Sequence, residues 1–351
     1  MKIEKYIQSF IQKTITAFCR SVSLLVCLSA AVPAHAAELN IYSHRQPFLI
    51  KPFLEAYTKE TGTEINVEYV SKFQLAQRLQ SEGKRSPADV ILTVDIARLS
   101  IYADKNLLEP VNSKTLMTSI PANLRDPQNR WFAFSLRARV LAISKKAKDA
   151  SDIRRYEDLA KPAWKGRVCS RSGSHVYNRA LVASMINAHG KKKADIWAQG
   201  VVENLARRPY GNDLSQIKAI YQGICDIAII NSYYYGKFKT SGKHEQQKWA
   251  DAVTLVFPNQ EDRGTHINIS GGGIAKYSKN KAEAQRFLEF LTSATAQKLY
   301  GDVNSEYSIN ASFPLPAELA TFGKFKMDSV SLAKIAKLAP YAQSVVDHVA
   351  W

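Results

Sequence analysis

The sequence predicts an α/β protein of two lobes, each an open and mostly parallel β-sheet flanked by helices, with a ligand in the cleft between the lobes. The chain has 351 residues, about twice the length of a usual domain. Between residues 39 and 93 the apolar spacing alternates strand, helix, strand, helix and strand. A similar alternation returns after residue 138. A helix that connects two parallel strands crosses over in a right-handed sense. Each alternation of strands and helices is therefore expected to build a parallel sheet with helices on both faces.

The elements of the first lobe follow from short apolar patterns. Strands are predicted at 39–42, 65–70 and 88–93, and helices at 48–60 and 73–82. The first helix stops at Gly62, and a polar turn at 43–46 follows the first strand. Ligands of open α/β sheets bind at the carboxyl ends of strands. In this lobe those ends are the turn at 43–46 and the segment after Thr93.

The second lobe repeats this logic and is followed by a return to the first. Strands are predicted at 138–143, 168–170 and 225–230, and helices at 178–189, 217–222, 281–293 and 295–300. The glycines of the segment 267–275 suit a chain that crosses between lobes. The predicted organisation is a signal peptide at 1–36, N-lobe at 37–135, C-lobe at 136–260, return crossing and second part of the N-lobe at 261–310, and C-terminal helices at 311–351.

The amino terminus has the pattern of an export signal. Four basic residues precede an apolar run at 21–32, and small residues at Ala34 and Ala36 fit a signal-peptidase site, so cleavage is expected near Ala36. The run is about 12 residues long, whereas a membrane span needs about 20. Removing the four basic residues and Glu4 lowers the formal charge from +17 to +14. The mature chain is therefore expected to be exported and strongly basic.

Composition limits the class of protein. The chain is 46% hydrophobic and 23% charged, as expected of a folded domain rather than a disordered or fibrous one. A basic balance of this size suits an anionic partner or an exported protein. The basic residues are scattered and form no known nucleic-acid module. No metalloprotease, nucleophile-elbow or carboxylate-rich metal motif is present in the sequence. We therefore expect neither nucleic-acid binding nor catalysis.

The sharpest local signal is the run from Asn231 to Gly236, which contains Tyr233, Tyr234 and Tyr235 directly after a predicted strand. If the backbone there is extended, neighbouring side chains face opposite ways, so at least one phenol points into the cleft. The alternative interpretation is aromatic packing.

Two further segments could contribute to a site. A hydroxyl-rich turn with Ser172 and Ser174 leads to Tyr177 at a predicted helix start, where it could hold an anion or simply cap the helix. Arg137 and Arg139 lie on one face at the mouth of a predicted strand, where they could bind a ligand or form a solvated edge.

Cysteine usage predicts one disulfide. Cys19 and Cys27 leave with the signal peptide, so Cys169 and Cys225 are the only thiols of the mature chain. A pair of cysteines in an oxidising compartment is most simply bonded, and two separate buried cysteines are the alternative. A bond that closes the loop between these two cysteines raises the free energy of the unfolded chain by about 3 to 5 kcal/mol at most, because it restricts the conformations of that chain.

These motifs resemble those of the periplasmic ferric-ion-binding proteins of ABC importers, the bacterial transferrin-like proteins with a type II binding-protein fold. The most specific likeness is the tyrosine pair after Asn231-Ser232, and the likeness extends over the mature chain. It implies that Tyr233 and Tyr234 ligate iron, joined in one subgroup by the tyrosine that matches Tyr177. It also implies a monomer that serves an inner-membrane permease and its ATPase. The first turn departs from the family: where many relatives carry a Ser-Arg-His-Tyr-like run, residues 43–47 read Ser-His-Arg-Gln-Pro, so the usual N-lobe tyrosine is missing.

The chemistry of the residues agrees with this resemblance. Fe(III) is a hard cation that prefers anionic oxygen, and three tyrosinates balance its charge. His44, in the first turn, is the candidate fourth ligand. If only two tyrosines bind, an anion such as carbonate is needed, for which Arg137, Asn231 and Ser174 are candidate partners or second-shell residues.

Another solute remains an alternative for the same fold. Tandem tyrosines could also line a pocket for a polyamine, a phosphonate or thiamine. Only a phenolate–iron site would absorb strongly in the visible, so colour distinguishes the two hypotheses.

Overall fold

The computed structural model describes residues 37–70 and 74–351, and the predicted signal peptide lies outside them. The strands are β1 (Glu38–Ser43), β2 (Glu64–Tyr69), β3 (Val90–Val94), β4 (Leu108–Glu109), β5 (Phe132–Ser144), β6 (Val168–Cys169), β7 (Ile227–Asn231), β8 (Val253–Val256) and β9 (Ile267–Ala275). The longer helices are α1 (Pro47–Thr61), α2 (Leu75–Glu82), α3 (Ile96–Asp104), α4 (Lys114–Ser119), α5 (Val176–His189), α6 (Lys191–Glu203), α7 (Asp213–Tyr221), α8 (Ser232–Lys239), α9 (His244–Asp251), α10 (Lys281–Phe290), α11 (Ala294–Asn304), α12 (Ala317–Ala320) and α13 (Leu332–His348).

The described strands form one continuous path in the order β2-β1-β3-β9-β5-β7-β6, with β4 beside β9 and β8 beside β5. At one end β1 pairs in parallel with β2 and β3, as predicted. At the other end β6 and β7 are parallel. The two middle strands, β5 and β9, run antiparallel to their neighbours and to each other. They connect the parallel pairs at the two ends.

The two middle strands are buried along their whole length. Every residue of β5 and of β9 is buried. The glycines of β9 let the neighbouring strands approach closely, since a Cβ on Gly271 would collide with the carbonyl oxygen of Phe132. The return crossing predicted at 267–275 is thus a central strand.

Several predicted elements match closely, and others were missed. The helix predicted at 48–60 is α1, and Gly62 ends it in the left-handed conformation with φ of 73°. The strand predicted at 138–143 is only the second half of β5, because burial continues through the polar residues before it. Patterns in the sequence did not indicate α3, α6, β4 or β8.

The described chain from Glu38 to Trp351 forms one compact unit, so the predicted lobe boundaries stay predictions. Within the described residues, no helix is long and apolar enough to cross a membrane.

The predicted disulfide is present in the structure. Cys169, at the end of β6, is bonded to Cys225, just before β7, with the two Cα atoms 5.9 Å apart. Both cysteines are buried in a small apolar cluster with Val140, Ile217 and Ile230. The bond fixes two parallel strands whose carboxyl ends lead into the tyrosine segments.

Candidate metal centre

Three tyrosines predicted as ligands, from two separate segments, line one cleft of about 390 Å³. The phenol oxygens of Tyr177 and Tyr233 are 3.4 Å apart. The rings of Tyr233 and Tyr234 pack with centroids 4.2 Å apart. Tyr235 also packs its ring, but against Phe322 rather than the trio. The three predicted ligand tyrosines therefore line one cleft, and the phenol oxygens of Tyr177 and Tyr233 are close enough to contact one small ion.

The tyrosines reach the cleft by a different route from the one expected. The prediction assumed an extended backbone, but α8 begins at Ser232, so the tandem tyrosines lie in its first turn. The expectation of an extended backbone was wrong because the strand ends at Asn231, the last residue with extended dihedral angles, and the helix begins at the next residue. Helical spacing separates successive side chains by about 100°, which still lets Tyr233 and Tyr234 share one wall of the cleft.

Adjacent strands bring the two tyrosine segments together. The parallel pair β6 and β7 places Cys169 opposite Ala228. The chain continues from β6 into the loop before α5, whose second residue is Tyr177, and from β7 directly into α8. The carboxyl ends of neighbouring parallel strands thus supply the phenols, as the sequence analysis predicted for such an edge.

Burial keeps the phenols of Tyr233 and Tyr234 protonated when no metal is bound. It raises the pKa of Tyr233 well above the usual 10, and the neighbouring Tyr177 and Tyr234 add to that effect. Burial likewise raises the pKa of Tyr234. A cation bound among the three oxygens would have to displace their protons.

Cationic side chains surround the trio. The guanidinium groups of Arg137 and Arg171 lie 5.4 Å and 5.3 Å from the ring centre of Tyr177. The ammonium group of Lys237 lies 5.4 Å from the ring centre of Tyr233. These charges favour the phenolate form and attract anions into the cleft.

A buried ion network supports the cleft from below. Asp213 accepts hydrogen bonds from Arg139 at 2.5 Å and from Arg171 at 3.1 Å. The backbone N–H of Asn231 donates to the same carboxylate at 2.8 Å, and its side-chain oxygen accepts from Arg139 at 3.1 Å. Asn231 is therefore buried directly before the tandem tyrosines and is held there by Asp213 and Arg139.

The interpretation of Arg137 and Arg139 as a solvated edge is wrong, since only 1% and 2% of these residues are exposed. Arg137 Nη1 donates to Ser270 Oγ at 3.0 Å. Its Nε and Nη2 have no hydrogen-bond partner among the described residues. Because Arg137 also lines the cleft, these free N–H groups suit a small anion.

His44 lines the same cleft but is engaged elsewhere. Its Nδ1 lies 2.9 Å from the carbonyl oxygen of Val70, and its Nε2 lies 2.6 Å from the hydroxyl of Tyr102. Burial lowers the pKa of His44 to about 4, so the ring is neutral at pH 7. The Val70 carbonyl can only accept, so Nδ1 carries the proton and Nε2 accepts from Tyr102. The structure therefore does not bring a free His44 nitrogen to the tyrosines.

Ser174 is placed away from the site. It is exposed and accepts a hydrogen bond from Gln343 at 3.3 Å. Four further residues that the structure places in or under the cleft were not predicted as site residues from the sequence, namely Lys237, Arg171, Asp213 and Glu306. Only Lys237 had a local signal, because it lies one helical turn after Tyr233 and Tyr234.

Comparisons with known proteins agree with this architecture. A family profile described as "Bacterial extracellular solute-binding protein" matches residues 42–298. Iron uptake protein A1 of Synechocystis is 41% identical over 322 residues, which cover 92% of this chain and 89% of that protein. The major ferric iron-binding protein of Neisseria meningitidis is 28% identical over 91% of this chain and 94% of its own length.

Solved structures show the same fold. A Trichodesmium protein in complex with iron and citrate ligands is 45% identical, with a TM-score of 0.87, and the alignment covers 90% of this chain and all of that one. The ferric iron-binding protein A of Mannheimia haemolytica, in an open conformation, is 44% identical with a TM-score of 0.85 over 90% of this chain and 99% of its own. These neighbours confirm the predicted two-lobed type II periplasmic binding fold. The chain belongs to the family of bacterial extracellular solute-binding proteins.

Proposed function

We propose that this protein captures Fe(III) through the phenolate oxygens of Tyr177, Tyr233 and Tyr234 and delivers it to an ABC permease. The observation that carries this proposal is the convergence of three phenols on one cleft, with two of the oxygens 3.4 Å apart. Relatives named for iron uptake and ferric iron binding support it. Phenolate oxygen is a hard anionic donor that suits a trivalent ion.

The charges around the site suit a ferric ion that is bound together with an anion. Three phenolates neutralise Fe(III), and the carboxylate of Glu306 offsets only one of the three cations that line the cleft, which are Arg45, Arg137 and Lys237, so the cleft keeps a positive charge. The free N–H groups of Arg137 can donate hydrogen bonds to a carbonate or a carboxylate. Such an anion would fill coordination positions that the tyrosines leave open. Citrate accompanies iron in the Trichodesmium relative, which supports the same interpretation.

His44 remains a candidate fourth ligand. Its Nε2 would first have to give up the hydrogen bond to Tyr102. Movement of the first turn toward the tyrosines on closure of the cleft could supply that change, since Arg45 and Gln46 of the same turn also line the cleft. Binding of iron by the three tyrosines does not depend on this movement of His44.

The cellular setting follows from the family and the amino terminus. We infer that the chain is exported, cleaved near Ala36 and released into the periplasm as a monomer. An inner-membrane permease, driven by its ATPase, receives the metal when the cleft opens and protons compete for the phenolates. We assign no catalytic role to the protein.

An absorption titration tests the proposed function. Purified residues 37–351, freed of metal, are titrated with ferric citrate while the visible spectrum is recorded. The proposal predicts a phenolate-to-iron band that saturates at one iron per chain. A triple variant with Tyr177→Phe, Tyr233→Phe and Tyr234→Phe should lack the band, and Tyr235→Phe, on the same helix, should keep it. A colourless wild-type protein, or a band that survives in the triple variant, contradicts the proposal.

A further inference from the structure

We propose that Glu306 is a positioning residue that couples closure of the cleft to retention of iron. The inference rests on the proposed function but concerns a residue outside the tyrosine trio. Glu306 follows α11, and its carboxylate joins the two middle strands to the first turn of the cleft.

The connection between the two ends of the sheet is narrowest near this carboxylate. Residues 136–138 of β5 pair with residues 267–269 of β9. β3 pairs with β9 only from Ser270 onward, and β7 pairs with β5 only from Arg139 onward. Among the described strands, none other pairs with this section; an isolated bridge from Tyr307 to Leu136 and a backbone hydrogen bond from Asp95 to the carbonyl oxygen of Ile269 add to it. A two-stranded section bends more easily than the wider sheet on either side, so we place the hinge here.

A change of register marks the same position. The pairing of β5 with β9 shifts between Ala133 and Ser135, which is a β-bulge or a local irregularity. Bulges bend and twist the strand that carries them. Ser135 and its partner Ser270 therefore lie at the border between the wide sheet of the first half and the narrow section.

The Glu306 carboxylate binds both of these serines. It accepts hydrogen bonds from Ser135 Oγ, and from Ser270 Oγ at 3.2 Å. It also accepts from the guanidinium group of Arg45, at 3.2 to 3.3 Å. Arg137 Nη1 lies 3.8 Å away. One carboxylate thus links the turn that lines the cleft, the two strands of the narrow section and the cation beside Tyr177.

Burial makes this linkage specific. Only 5% of Glu306 is exposed, and a buried carboxylate must stay paired to remain charged. Bending at the narrow section moves Arg137, which lies in that section, relative to Glu306 and Ser270, so the carboxylate favours the arrangement that keeps Arg137 beside them. The same contacts hold Arg137 beneath Tyr177, since Arg137 also donates to Ser270. Hinge angle and the metal site are therefore linked through one side chain.

Glu283→Gln is a matched control for Glu306→Gln. Glu283 on α10 is also 5% exposed, and it likewise accepts from hydroxyl groups, Tyr57 and Thr63, and from Arg286. Both substitutions remove a buried charge and keep the side-chain shape, but Glu283 does not line the cleft. Loss of iron from each loaded protein to a chelator is followed through the visible band, and unfolding is followed by denaturant titration.

We expect Glu306→Gln to release iron at least about tenfold faster than wild type, with the position of the band unchanged because the phenolates remain. Glu283→Gln should release iron at the wild-type rate, even if it unfolds more easily. Release at the wild-type rate from Glu306→Gln overturns the inference, as does equal acceleration in both variants. A shift of the band in Glu306→Gln also overturns it, because the carboxylate would then be acting on the metal directly.

Ser135→Ala covers the case in which Glu306→Gln does not fold. It removes one donor from the carboxylate and leaves every charge in place, so a smaller acceleration of release, of about two- to threefold, is expected. Wild-type release from Ser135→Ala would then overturn the inference. If wild-type protein binds no iron, the proposed function fails and this inference fails with it. If wild type gives the band and the variants do not differ from it, only this inference fails.

Discussion

Replacing Tyr233 with Phe separates ligation from packing. The change removes one oxygen from a side chain that is 9% exposed and keeps the ring that packs on Tyr234. The lost hydroxyl makes a long contact of 3.4 Å with Tyr177. The free energy of unfolding should therefore change by about 1 kcal/mol or less. Any large effect on iron binding then reflects the loss of a ligand.

The size of that effect follows from the proton that Tyr233 must lose. Ionising a phenol with a pKa of about 10 costs about 4 kcal/mol at pH 7, and burial raises the pKa of Tyr233 further. Iron still binds better with the third phenolate, so affinity should fall by more than about 100-fold in Tyr233→Phe. Wild type releases one more proton per iron than the variant. The affinity ratio of wild type to variant should therefore shrink about tenfold for each unit of pH decrease.

Competition against citrate between about pH 6 and 8 measures this ratio. Both proteins are titrated in the same buffers, so the protonation of citrate and the hydrolysis of iron cancel. Tyr235→Phe is the control, because Tyr235 lies on the same helix but packs on Phe322 at 5.1 Å. The ratio of the iron affinity of wild type to that of Tyr235→Phe should stay near one at every pH. A ratio for Tyr233→Phe that does not vary with pH would refute the assignment of Tyr233 as a phenolate ligand.

Three further predictions address the surroundings of the site. Reducing the Cys169–Cys225 bond should lower the free energy of unfolding by about 3 to 5 kcal/mol at most, and two free thiols in the denatured, unreduced protein would contradict the bond. Arg137→Met should make iron affinity insensitive to added carbonate, whereas wild-type affinity rises with it; equal carbonate dependence of both proteins would exclude Arg137 as the anion partner. His44→Ala should weaken iron binding and leave the visible colour largely intact, since the phenolates remain, and an iron-loaded structure with the ring more than about 3 Å from the ion would rule out His44 as a ligand.

The tyrosine trio could be predicted because its signals are local. Tyr233 and Tyr234 directly follow a strong apolar strand, and Tyr177 follows a hydroxyl-rich turn after another. The disulfide, too, needed only the count of thiols in the mature chain. The parallel strands β1, β2 and β3 could likewise be predicted from short apolar patterns.

The supporting residues could not be predicted because their partners are distant in sequence. Glu306 binds Arg45, which is 261 positions away, and Ser135, which is 171 positions away. Ser135 and Arg137 interrupt the apolar pattern of β5 before residue 138, so the strand was predicted too short, yet both residues are buried beside the carboxylate of Glu306. His44 was chosen by elimination within its turn, and only the structure shows that Tyr102 and Val70 occupy both ring nitrogens.

A crystal structure of the iron-loaded protein tests the central claim most directly. Residues 37–351 are loaded with ferric citrate, and the metal is located by its anomalous scattering. The account predicts one iron ion with the phenol oxygens of Tyr177, Tyr233 and Tyr234 all at coordination distance, about 2 Å. An ion bound elsewhere, or one that leaves any of these three oxygens out of its coordination shell, would contradict it.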